Sequence, residues 1–167
     1  MILRSFDPKK DFEKIQSWTA DRREHAMWCA DRFPYPLDKT GFMEALSAAA
    51  LRSGDVPFVA AVDDDAAAGF FCCSMDPKDH ESRLKFVIVD PQYRGKGAAR
   101  EMLGLAVSYI FTNTTAEAVR LSVFPENIRA KKCYEKAGFQ EIKTDHGAFL
   151  FQDESWDRCA MILKRPE

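Results

Sequence analysis

The stretch Arg83-Leu84-Lys85-Phe86-Val87-Ile88-Val89-Asp90-Pro91-Gln92-Tyr93-Arg94-Gly95-Lys96-Gly97-Ala98-Ala99-Arg100 decides how this chain folds. Residues 83–89 end as a near-continuous apolar run, the pattern of a strand buried on both faces, and are the best candidate for the centre of a sheet. Past the glycines, Ala99, Leu103, Ala106 and Ile110 recur at four-three-four spacing and predict a long helix to about Thr112. A glycine turn between strand and helix leaves backbone N–H groups unpaired and unobstructed. The helix dipole and the charges of Arg94, Lys96 and Arg100 add a field that favours an anion. Two familiar phosphate motifs fit poorly: the G-x-x-x-x-G-K-[ST] loop is absent, and Arg100 stands where G-x-G-x-x-G needs its third glycine. Taken alone, the turn reads equally as an anion site or as a bend before a solvated basic helix end.

Working outward, Val119 to Phe124 is the next strand, and a strand-helix-strand order requires a crossover, so it runs parallel to residues 83–89. On the N-terminal side, Val56 to Val62 and Gly69 to Ser74 flank the acidic turn Asp63-Asp64-Asp65 as an antiparallel hairpin. A helix with Phe42, Ala45, Leu46, Ala49 and Ala50 inward starts near Asp38 and stops at Gly54. Ile2 to Phe6 reads as a first strand. Asp7-Pro8 then opens a helix expected to reach about Asp21, with Phe12, Ile15 and Trp18 or Thr19 on its apolar face. The aromatic, proline-rich segment Asp31 to Asp38 is a loop. Asn127 to Ala137 is a last helix stopped by Gly138, and two strands, near Phe139 to Thr144 and Asp157 to Leu163, close the chain.

Composition narrows the class. With 24 basic and 26 acidic residues the net charge is -2, so no global field favours nucleic acid or an anionic membrane as partner. The five cysteines lack a C-x-x-C pair, which argues against a disulfide framework or a zinc site, and no metal is expected. The start Met1 to Pro8 passes quickly into charges and resembles no signal peptide, and no segment reads as a bilayer span. The expectation is a reduced, cytoplasmic protein, one domain over residues 1–167, with a homodimer left open.

A second constellation lies downstream. Asn127, Ala130 and Tyr134 share one helix stripe, with Gly138 and Phe139 after them, and such a face can let an extended ligand lie against it. A buried Tyr134 with an internal hydrogen bond is the plainer reading of the same helix. Together the two segments resemble the GNAT superfamily of N-acetyltransferases. Arg94, Gly97 and Ala99 fill its [QR]-x-x-G-x-[GA] signature, and residues 127–139 are similar to its N-x-x-A-x-x-x-Y-x-x-x-G-F helix, with matching order and separation.

The resemblance implies a mixed α/β fold: a mostly antiparallel sheet of about six to seven strands with a parallel central pair, flanked by about four helices. It implies acetyl-CoA as co-substrate, its pantetheine beside Val87, Ile88 and Val89. The pyrophosphate would lie on Arg94, Gly95, Lys96, Gly97, Ala98 and Ala99 with Arg100 adjoining, and Asn127 would bond near the pantetheine. The reaction implied is direct attack of a primary amine, on a small molecule, peptide or protein N-terminus, with Tyr134 as general acid to the thiolate. Cys133 faces away from Tyr134 and reads as a small core residue rather than an acyl carrier. Some relatives carry a glutamate where this chain has Ser122, which leaves the general base unassigned among Glu81, Glu126 and His80. The same departure makes a catalytically silent coenzyme-A or metabolite sensor the alternative. Trp28, Phe33, Tyr35, Phe149, Phe151 and Trp156 line either an acceptor wall or the core.

Overall fold

A computed structural model describes residues 1–75 and 80–166. In chain order they form β1 (Ile2–Ser5), α1 (Phe12–Gln16), α2 (Arg22–Cys29), α3 (Lys39–Ser53), β2 (Asp55–Val62), β3 (Ala66–Ser74) and β4 (Glu81–Val89). Then follow α4 (Ala98–Asn113), β5 (Ala118–Val123), α5 (Ile128–Lys136), β6 (Gln140–Phe151) and β7 (Glu154–Lys164). Among the described residues the strands make one 7-stranded sheet in the order β1-β2-β3-β4-β5-β7-β6, with β4 in the middle.

Every neighbouring pair is antiparallel except β4 and β5, which run parallel with α4 as their crossover. Their pairing is short: Glu81 faces Ala118, Ser82 faces Val119 and Arg83 faces Arg120. Beyond that, residues 84–89 stay paired to β3 and residues 121–123 to β7, but not to each other. The sheet therefore opens down its centre. Within the opened part β4 carries a bulge, with Phe70 opposite Ile88 but Cys72 opposite Lys85, and Phe86 sits at φ +54°.

Two apolar layers cover the sheet. On one face α4 and α5 bury Met102, Leu103, Ala106, Ile110 and Tyr134 against Phe58, Phe71, Leu84 and Leu121. On the other, α1 and α3 bury Phe12, Ile15, Phe42 and Leu46 against Val59, Phe70 and Ile88. A third, smaller cluster joins Ala26 of α2 to Phe124, Phe151 and Trp156.

Several expectations need correction. The helix expected from Pro8 to Asp21 lasts only from Phe12 to Gln16, because Asp7 turns the chain by accepting from the Lys9 N–H at 2.9 Å, and Asp11 is drawn to Arg4 at 2.7 and 2.8 Å. A separate helix, α2, occupies a segment left unassigned from sequence. Its start is a reciprocal cap: Asp21 accepts from the Glu24 N–H at 2.8 Å, and Glu24 accepts from the Ala20 N–H at 3.0 Å. In α3, Phe42, Leu46 and Ala49 are buried as expected, but Ala50 faces solvent. The closing strands run longer than expected, so Phe149, Phe151 and Trp156 lie within them.

The cap at Asp21 is testable in isolation. Asp21→Ala is expected to lower stability by about 0.5–2 kcal/mol in urea denaturation, and Asp21→Asn to stay close to wild type. Equal losses in both variants would deny the side-chain cap.

Candidate active site

The opened half of β4 ends at a turn built to expose backbone donors. Asp90 accepts from the Gln92 N–H at 2.9 Å and starts a short turn over Pro91–Tyr93, after which Gly95 at φ +76° and Gly97 at φ +85° lead into α4. Those angles favour glycine, and a Cβ at either position would meet nothing within 4 Å. The space above the turn is open. The N–H groups of Gly95, Gly97, Ala98, Ala99 and Arg100 have no acceptor among the described residues, and Gly97 provides no side-chain cap to α4. Unpaired donors at the positive end of a long helix form an anion cradle.

The three basic residues do not act alike. Lys96 and Arg100 are exposed beside the cradle. The Arg94 guanidinium is instead withdrawn: its Nε donates to the Val89 carbonyl at 3.0 Å, one terminal nitrogen donates to the Trp18 carbonyl at 2.6 Å, and Glu24 lies 3.6 Å away. This corrects the expectation of three charges facing one ligand. Arg94 ties the end of β4 to the chain leaving α1 and to α2.

The wall across the opening comes from the chain after β5. Asn127 caps α5 by accepting from the Ala130 N–H at 3.2 Å, so its side-chain N–H₂ remains the group available to a ligand. Tyr134 is 8% exposed and packs edge-on to Phe139. Its hydroxyl makes no hydrogen bond among the described residues, yet is not one of the side-chain atoms sealed without a partner. The internal hydrogen bond of the plainer reading is thus missing. Desolvation, with a smaller contribution from Cys133, raises the phenol above its ordinary value and keeps it protonated through neutral pH. Burial likewise raises the Cys133 thiol, which leaves it a poor nucleophile.

Helix α2 spans the opening from one half-sheet to the other. Trp28 Nε1 donates to the Phe86 carbonyl of β4 at 2.9 Å, while one terminal nitrogen of Arg23 donates to both carboxylate oxygens of Glu154 on β7 at 2.7 and 2.8 Å and Ala26 packs against Trp156. Sequence reading missed Glu24, and with it the bond by which Trp28, one of the aromatic residues expected at an acceptor wall or in the core, holds β4, because it missed this helix. The signal available was the Asp21-x-x-Glu24 cap.

Other candidates sort by place. Glu81, bonded to Arg120 at 2.8 Å, and His80, 4.0 Å from Glu117, lie at the paired start of β4, the end away from the glycine turn. Glu126 is exposed just past β5, within the field of Arg23 on α2. Ser122 is exposed on β5 opposite Ala160. Of the aromatic residues, Phe33, Phe151 and Trp156 are buried in the core, whereas Trp28, Phe149 and above all Tyr35 keep exposed surface. No group of three or more His, Cys, Asp or Glu among the described residues is arranged to hold a metal, and no helix among them is long and apolar enough to cross a membrane.

A mixed sheet parted at its one parallel pair, with an anion cradle at the mouth of the gap, offers an extended anionic ligand a strand edge and a phosphate seat in line. The chain belongs to the acetyltransferase (GNAT) family, whose sequence profile matches residues 12–139. It is 37% identical over 62 residues to the spermidine N(1)-acetyltransferase of Vibrio cholerae, covering 37% of this chain and 36% of that protein. It is 31% identical over 65 residues to the spermine/spermidine N(1)-acetyltransferase of Bacillus subtilis, covering 39% and 43%. The matched stretches thus span less than half of these curated relatives. The Vibrio cholerae spermidine N-acetyltransferase solved with CoA and spermine superposes with a TM-score of 0.80 at 22% identity, over 97% of this chain and 94% of that one. A ribosomal-protein-alanine N-acetyltransferase from Brucella melitensis gives 0.75 at 18%, over 99% and 100%. At these identities the likeness is one of fold.

The inward-turned Arg94 has a measurable consequence. Arg94→Met leaves two carbonyls without a charged donor and is expected to cost about 1–3 kcal/mol of ligand-free stability, against less than about 0.5 kcal/mol for Arg100→Met. Equal and small losses in chemical denaturation would contradict the assignment.

Proposed function

We propose that the chain acts as one domain that transfers the acetyl group of acetyl-CoA directly to a primary amine, with Tyr134 as general acid. The observation that carries this reading is the coincidence, at one end of β4, of an unpaired strand edge and a turn of free N–H groups. An extended pantetheine carries two amides and can add to the edge at Val87, Ile88 and Val89 as a short extra strand. The pyrophosphate then falls on the donors of Gly95, Gly97, Ala98, Ala99 and Arg100, with Lys96 and Arg100 supplying charge. Arg94 contributes by holding the frame of the turn, and Asn127 contributes its side-chain N–H₂.

In the transfer, the amine nitrogen forms a bond to the thioester carbon and the carbon–sulfur bond breaks. The departing thiolate takes the Tyr134 proton, and the proton lost by the attacking nitrogen, passed through a base or water, returns the Tyr134 phenolate to phenol. The raised phenol pKa suits an acid that must remain protonated until sulfur leaves. An ordinary alkylamine is neutral in only about one molecule per thousand at pH 7, so the rate should climb with pH as the acceptor deprotonates. Because the Tyr134 pKa is raised, loss of the acid should lie above the ordinary phenol range. Among the three candidate bases Glu126 alone stands near α2 and the opened end of the sheet. Spermidine and spermine, the acceptors in the names of the curated relatives, both carry primary amines.

Tyr134→Phe is expected to lower kcat by about 100-fold or more in a thiol-release assay, with acetyl-CoA affinity changed by less than about threefold. Unchanged kcat would remove Tyr134 from the acid role. Tight acetyl-CoA binding with no transfer to any amine would instead leave a coenzyme sensor.

A further inference from the structure

We propose that the recess between α3 and the chain following α2 is the acceptor subsite, and that it selects primary amines carrying an anionic group on an apolar body. The proposal rests on the acetyl-transfer reading above and adds the substrate class. The recess encloses about 300 Å³. Its floor is apolar, made by Phe33 and Phe86 and flanked by Ala45 and Ala49 of α3. Phe33 and Phe86 themselves pack at 4.5 Å between ring centroids, which makes the floor a continuous aromatic surface.

Its position relates it to the donor. Phe86 is the bulged residue immediately before Val87. A pantetheine running from the glycine turn along Val89, Ile88 and Val87 covers roughly 10 Å of strand and brings its thioester end to Phe86. Trp28 holds the Phe86 carbonyl from α2, so the floor of the recess and the end of the donor strand are fixed to each other.

Its charge sets the class of acceptor. Arg32 and Arg52 line the recess, both exposed, and neither guanidinium has a partner among the described residues. The carboxylate that also lines it, Asp31, is already engaged by both terminal nitrogens of Arg22 at 2.5 and 3.0 Å. Two unpaired guanidiniums beside one neutralised carboxylate repel a polycation and leave it no free counter-charge. A carboxylate or phosphonate finds two planar, charged donors there. An amine with an aliphatic or aromatic body then has its three parts matched: anion to the arginines, body to Phe33 and Phe86, and nitrogen toward the thioester. The names of the curated relatives point to polyamines, so the recess separates this chain's acceptor from theirs by the sign of its charge.

The test compares two acceptors of equal length, 6-aminohexanoate and hexane-1,6-diamine, with acetyl-CoA and full-length protein. The wild type is expected to favour the amino acid by about tenfold or more in kcat/KM, and Arg32→Gln with Arg52→Gln to lower that preference by about 10- to 100-fold. Arg32→Glu with Arg52→Glu is expected to reverse it. Acetyl-CoA affinity, measured separately by calorimetry, reports that the variants remain folded and donor-competent. A wild-type preference for the diamine, or a preference indifferent to the arginines, would overturn the subsite while leaving acetyl transfer standing. Transfer to neither acceptor despite acetyl-CoA binding would overturn the subsite, and absence of transfer to any amine would overturn acetyl transfer with it.

Discussion

The architecture depends on how soon a parallel pair stops pairing. β4 and β5 share hydrogen-bonded register only from Glu81 to Arg83, after which each strand stays with its antiparallel neighbour and the twist of the sheet carries them apart. A strand edge in the middle of a sheet is ordinarily satisfied by the next strand. Here the edge is left for something else to fill, and the glycine turn that follows β4 places further unpaired N–H groups at the same end. An extended ligand with amides in its middle and phosphates at one end answers both demands.

An opening in the centre of a core must be braced. α2 does this with one hydrogen bond to the Phe86 carbonyl, an ion pair from Arg23 to Glu154 and an apolar contact with Trp156. Arg94 adds a brace at the mouth through the carbonyls of Val89 and Trp18. The exposed Arg23–Glu154 pair adds little energy by itself, whereas the buried apolar contacts of Ala26, Phe151 and Trp156 carry the attachment. The brace also shapes the far side of the opening, because the chain leaving α2 brings Phe33 and Arg32 over β4 toward α3.

Much of this was legible in the residues. Asp38 and Gly54 bracket α3, Gly95 and Gly97 mark the turn, and the crossover helix requires the parallel pair; all three follow from local stereochemistry. α2 was not legible by periodicity, because its buried residues are His25, Ala26 and Cys29 amid Arg22, Arg23 and Glu24, too little apolar surface to make a stripe. The opening itself leaves no trace, since residues 83–89 read as one apolar strand whether or not a neighbour pairs with them. Arg94 illustrates the limit for single residues: its type and place in the turn suggested a phosphate ligand, but its direction is set by the carbonyls of Val89 and Trp18, the latter far away in sequence. The pairing of Arg32 with Arg52 around Phe86 is likewise a product of tertiary packing.

Acetyl-CoA binding requires the strand edge and the turn to act as one donor site. Amide hydrogen exchange resolved residue by residue, with and without coenzyme A, tests that directly. Slowed exchange is expected at Val87 to Val89 together with Gly95 and Gly97 to Arg100, and little change at the paired start of β4. Coenzyme binding that protects other amides while leaving both of these segments unaltered would contradict it.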